Sequence, residues 1–62
     1  MKLYAVKIEN GYLRRKEQAA PVVVPMSKAS VFPELEDAKA LRELYGAGQI
    51  AELTLTEKIL SL

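Results

Sequence analysis

The residues that most restrict the possible folds lie at the start, where Tyr4, Val6 and Ile8 alternate with Ala5 and Lys7 and lead into Glu9-Asn10-Gly11. Alternation with a period of two marks a strand with one buried face. Asn-Gly readily adopts the positive φ angles of a tight hairpin turn, so the chain is expected to reverse and return beside its own first strand. The return, Tyr12 to Lys16, raises a problem of register. A two-residue loop on Asn10-Gly11 sets Ile8 opposite Leu13 and Val6 opposite Arg15, and a three-residue loop sets Ile8 opposite Tyr12 and Val6 opposite Arg14. Either loop brings an arginine beside Val6 on the face that should be buried. The second strand is therefore expected at the edge of the sheet, leaving the core just after Leu13. There its arginines stay in water and discourage sheet-to-sheet aggregation.

From Glu17 to Ala29 the alternation stops. Pro21 and Pro25 flank Val22, Val23 and Val24, which confines that piece to an extended connector or an edge strand lacking part of its ladder. Three β-branched residues are costly to leave in water and point to alternating sides, so one side of the segment seeks a partner. Ser30-Val31-Phe32 reads as a short extended approach to a helix, with Phe32 as the aromatic core anchor. Pro33 suits a first helical position, and Glu34, Glu36 and Asp37 favour the positive end of the helix dipole. The helix is expected from Pro33 to about Tyr45, with Leu35, Ala38, Leu41, Leu44 and Tyr45 as its apolar stripe. Gly46-Ala47-Gly48 stops it, and Ile50 to Thr56 alternates as a closing strand. For the tail, Glu57 to Leu62, continued strand and a single helical turn both remain open.

These elements make an α+β fold of order ββαβ, a three-stranded sheet in order 2-1-3 packed on one helix. The opposite sheet face, carrying Leu3, Ala5 and Lys7, has no second helix to cover it. With 62 residues the chain is long enough for a single small domain, residues 1–62. Its core must be aliphatic, since there are one Phe, three Tyr and no Trp, and with no Cys and no His it lacks disulfides and the usual zinc ligands. Self-association as a homodimer is the remaining source of stability, and a dimer is expected.

The formal net charge is +1, so no global field marks a dedicated nucleic-acid or membrane-surface binder. The start is interrupted too early by Lys7 and Glu9 to act as a signal peptide, and no stretch reaches membrane-spanning length. A cytoplasmic location without membrane contact is expected. Catalysis is not expected. Ser27, Ser30 and Ser61 have no recognisable base partner, and Glu34, Glu36 and Asp37 diverge around the helix axis rather than converging on a metal. Gly46-Ala47-Gly48 follows a helix instead of opening one and so lacks the donors of a phosphate loop. No catalytic residue, metal or cofactor is assigned.

The hairpin "KLYAVKIENGYL", the helix approach "SVFPELEDAKAL" and the closing "IAELTL" resemble a loose group of small ββαβ proteins encoded in phages and prophages, mostly of unknown function. That resemblance implies a protein acting by binding host machinery inside a bacterium. The leading expectation is a protein-binding module. Its contacts would come from Val22, Val23, Val24, Ile59, Leu60 and Leu62, with Arg14, Arg15 and Lys16 steering an acidic partner. The alternative is a hairpin-based nucleic-acid binder in which Arg14, Arg15 and Lys16 contact phosphates and Tyr12 offers a stacking ring.

Overall fold

In the computed structural model, which describes residues 1–61, the alternating start forms strand β1, Lys2–Ile8, and the return forms β2, Gly11–Lys16. Ile8 pairs with Gly11 and Lys7 with Tyr12, so the turn consists of Glu9 and Asn10 and the glycine already belongs to the ladder. This register lies two residues from the one expected for a loop on Asn10-Gly11, and the difference removes the conflict over arginine. Continued by one step it sets Val6 beside Leu13, and both side chains are 0% exposed.

Only the hairpin end of β1 stays paired with β2. Farther on the two strands part, and Ser30 to Phe32 fill the wedge between them. The Ser30 N–H donates to the Leu13 carbonyl at 3.1 Å, the Arg15 N–H donates to Ser30 Oγ at 2.8 Å, and Tyr4 and Phe32 exchange backbone bonds of 2.7 and 2.8 Å. Phe32 is thereby carried into the core, 7% exposed.

Of the two expectations for the double-proline segment, the structure shows the edge strand lacking part of its ladder and not the extended connector. Residues Ala19–Val24 form β3, and the sheet has four strands in the order β3-β2-β1-β4, all neighbours antiparallel. The expected order 2-1-3 survives as β2-β1-β4, but β2 is interior and β3 takes the edge. Pro21 is tolerated because of a bulge. Arg14 pairs with Val22 and Lys16 with Ala19, leaving Ala20 and Pro21 opposite Arg15 alone, so the missing proline N–H falls where the ladder is already interrupted.

A single 3-10 turn, Met26–Lys28, leads to helix α1, Leu35–Tyr45. It starts two residues later than expected, with Glu34 at the N-cap and Pro33 in the bend before it. Gly46 ends it in the left-handed conformation at φ +94°, its N–H donating to the Arg42 carbonyl at 2.8 Å. Strand β4, Gln49–Thr54, then pairs with β1 from Lys7↔Gln49 to Lys2↔Thr54. The ladder gains one more bond, Leu55 N–H to the Met1 carbonyl at 2.9 Å. From Leu55 to Ser61 there is no regular element, so the tail is neither strand nor helical turn over those residues, and Leu62 lies outside the described residues.

Val6, Leu13, Phe32, Ala38 and Leu41 form the core, with Tyr4, Ile8 and Ile50 packed against it. Leu13, Leu41 and Val6 are the largest fully buried side chains, each worth about 1.5–3 kcal/mol of transfer free energy. The helix is rotated from the expected stripe. Ala38 and Leu41 are buried, whereas Leu44 is 64%, Tyr45 40% and Leu35 37% exposed. Lys39 and Arg42 instead lie half-buried.

Candidate protein-interaction surface

A four-stranded open sheet has two edges, and here they differ. At β3 the backbone is irregular: the bulge opposite Arg15 and the ring of Pro21 break the row of free donors and acceptors, a common protection against strand addition. At β4 no such device is present. Antiparallel pairs alternate between residues that exchange hydrogen bonds with each other and residues whose backbone groups point away. The Leu55-to-Met1 bond fixes the phase, so Gln49, Ala51, Leu53 and Leu55 bond toward β1 while Ile50, Glu52 and Thr54 turn their N–H and C=O groups outward. Tyr4 confirms the phase. It lies opposite Glu52 and spends its own backbone bonds on Phe32 at the other side of β1. Among the described residues no backbone bond reaches the outer side of β4.

The side chains of that edge sort by face. Ile50 turns toward the helix and packs against the core. Ala51, Leu53 and Leu55 share the face with Leu3 and Ala5, because paired residues point the same way. They form an apolar row along the rim, with Leu55 54% exposed and Leu53 half-buried. Glu52 lies on the opposite, helix-side face with Ile50 and Thr54, and is paired with Lys2 at 3.5 Å. Both groups are more than half exposed, so the pair is worth about 0–1 kcal/mol. Beyond the row the tail stands off the body, with Ile59 84% and Leu60 63% exposed. The radius of gyration, 12.7 Å, accordingly exceeds the ~10.6 Å of a compact domain of this length.

The residues named from sequence as partner contacts do not form one site. Val22, Val23 and Val24 lie on β3 at the end near the hairpin turn, through the pairs Tyr12↔Val24 and Leu13↔Val23. Ile59 and Leu60 follow β4 at the opposite edge and the opposite end of the sheet. The basic cluster is partly used in the fold. Arg14 Nη1 donates to the Lys28 carbonyl at 3.2 Å, and the Arg15 guanidinium stacks 5.3 Å from the centroid of the Phe32 ring. Lys16 is exposed where β2 meets β3. Lys7 sits 6.0 Å from the centroid of the Tyr12 ring, so the ring proposed for base stacking already faces a cation of its own chain.

Sequence reasoning missed the β4 edge as a surface. Its signal was present in the regular alternation Ile50 to Leu55 without proline or glycine, against the proline in β3. A groove of about 560 Å³ opens between the hairpin turn and the loop before β4, lined by Lys7 to Asn10, Tyr45 and Ala47 to Gln49. Among the described residues no group of three or more His, Cys, Asp or Glu comes together to hold a metal, and no helix is long and apolar enough to cross a membrane. Comparison with protein-family models, curated proteins and solved structures gives no match.

Proposed function

We propose that the chain is a small non-enzymatic protein-binding module that accepts an extended protein segment as an added strand on β4. The supporting observation is the difference between the two edges. The β3 edge is interrupted by a bulge and Pro21, while β4 presents the free backbone groups of Ile50, Glu52 and Thr54 beside the apolar row Ala51, Leu53 and Leu55. Strand addition uses such an arrangement, the backbone supplying affinity and alternate side chains supplying selectivity. Against the nucleic-acid reading stand the commitments of Arg14 to Lys28 and of Arg15 to Phe32, together with a net charge of +1. The resemblance to small phage proteins directs the search for an acceptor toward bacterial proteins.

Glu52→Pro tests this reading. It removes one outward N–H and no bond to β1, and an edge strand tolerates proline there. A photo-crosslinking residue at Thr54 should capture protein in a nuclease-treated bacterial lysate, and combining it with Glu52→Pro should abolish the capture. Glu52→Gln, which loses only the Lys2 pair, should not. Capture that survives Glu52→Pro, or that disappears with nuclease, would overturn strand addition.

A further inference from the structure

We infer that the strand added to β4 belongs to a second copy of this chain, paired about a two-fold axis at Leu53; this rests on the strand-addition reading above and names its partner. Two copies of one edge related by a two-fold axis pair antiparallel. Outward-facing residues must then meet outward-facing residues, so the axis falls on a residue and not between two. Four positions are available. An axis at Glu52 sets two carboxylates directly opposite each other, which is repulsive. An axis at Ala51 opposes Ile50 to Glu52 and Leu53 to Gln49, breaking the apolar row. An axis at Thr54 sets Ala51 against Glu57 and leaves nearly all of the pairing to the tail.

The axis at Leu53 has none of these faults. Leu53 meets Leu53 of the second copy, Ala51 meets its Leu55, Glu52 meets its Thr54, and Ile50 meets its Thr56. The row Ala51, Leu53 and Leu55 then faces its own reverse with no charge in it. Four outward pairs exchange about eight backbone hydrogen bonds, half of them contributed by Thr56 once the tail is drawn into the strand. The exposed stretch after Thr54 thus acquires a use. The product is an eight-stranded sheet with both helices on one face and the Leu3, Leu53 row continuous across the axis on the other.

Because the chain contains no cysteine, the axis can be read by single-cysteine variants. Two cysteines on the axis are the same residue in the two copies, and across a non-hydrogen-bonded pair their Cα atoms lie about 4.5 Å apart, within disulfide reach. Ala51→Cys, Glu52→Cys, Leu53→Cys and Thr54→Cys are oxidised in air under identical conditions, and light scattering gives the mass of the unmodified chain at micromolar concentration. The expected result is a mass twice the 6.9 kDa of one chain, reduced to one chain by Glu52→Pro but not by Glu52→Gln, with the disulfide formed at least tenfold faster at Leu53→Cys than at the other three positions. A single-chain mass, or faster oxidation at another position, overturns the inference. If the mass is that of one chain while Thr54 still captures a foreign protein in a manner abolished by Glu52→Pro, self-pairing fails and strand addition stands.

Discussion

Replacing Leu41 and Leu44 by alanine, one at a time, separates the observed helix orientation from the one its apolar pattern suggests. Both leucines belong to the same stripe at helical spacing, yet Leu41 is 2% exposed inside the core and Leu44 is 64% exposed. Truncation to alanine removes the equivalent of three carbon groups, about 2.4 kcal/mol of transfer free energy at full burial. A residual cavity beside Val6, Leu13 and Phe32 raises the cost at Leu41 into the range of about 2–5 kcal/mol. At Leu44 only about a third of that transfer is at stake, under ~1 kcal/mol, and the higher helix propensity of alanine offsets some of it. A chain of this length is expected to have a total stability of about 3–9 kcal/mol, so Leu41→Ala removes a large part of it. Urea unfolding followed by far-ultraviolet circular dichroism reads the difference. With a slope near 1 kcal/mol/M, the midpoint should fall by about 2–5 M for Leu41→Ala, or the variant be unfolded without denaturant, and by less than ~1 M for Leu44→Ala. Equal shifts, or a larger one at Leu44, would refute the packing described above.

Gly48→Ala should cost more than ~2 kcal/mol in the same assay, since Gly48 has φ +118° and an added Cβ would lie 2.7 Å from Val6 Cγ1; an unchanged midpoint would mean that the loop before β4 is placed wrongly. Val6→Asp puts an unpaired charge in a fully buried site and should leave the chain unfolded, whereas Arg15→Asp, losing only the stack on Phe32, should shift stability by about 0.5–1 kcal/mol. Comparable losses in the two would contradict the register of the hairpin. Replacing Arg14, Arg15 and Lys16 together with Gln should keep the circular dichroism spectrum, and titration of the unmodified chain with labelled single- and double-stranded DNA and RNA near physiological salt should show no saturable binding. Micromolar binding abolished by the triple replacement would restore the nucleic-acid reading.

Where local chemistry decides structure, the sequence was legible. Alternation in Tyr4 to Ile8 and in Ile50 to Leu55 marks strands, Gly46 stops the helix, and Phe32 is an aromatic with nowhere to go but the core. Three features depended on tertiary context. The hairpin turn falls on Glu9-Asn10 because Gly11 serves the ladder instead, a choice that depends on Val6 and Leu13 meeting in the core. Strand β3 was obscured by Pro21, whose missing donor matters only if the ladder is regular at that point, and regularity cannot be seen without the partner strand. Helix rotation follows the contacts of Ala38 with the sheet, not the count of leucines. The interaction surface was the least legible part. Apolar residues in Val22 to Val24 and Ile59 to Leu60 carry no mark of which edge they lie on, and the open backbone of β4 is defined by the order of strands.

Amide hydrogen exchange along β4, followed residue by residue by nuclear magnetic resonance on a dilution series, tests most directly whether this edge is the open one. At the lowest concentration the N–H groups of Ala51 and Leu53, bonded toward β1, should be protected, while those of Ile50, Glu52 and Thr54 exchange near the unprotected rate. As concentration rises, protection should appear at Ile50, Glu52 and Thr54, and then at Thr56, without change at the residues of β3. Protection of Ile50, Glu52 and Thr54 that is already complete and independent of concentration in a single-chain species, or protection that appears first on β3, would contradict it.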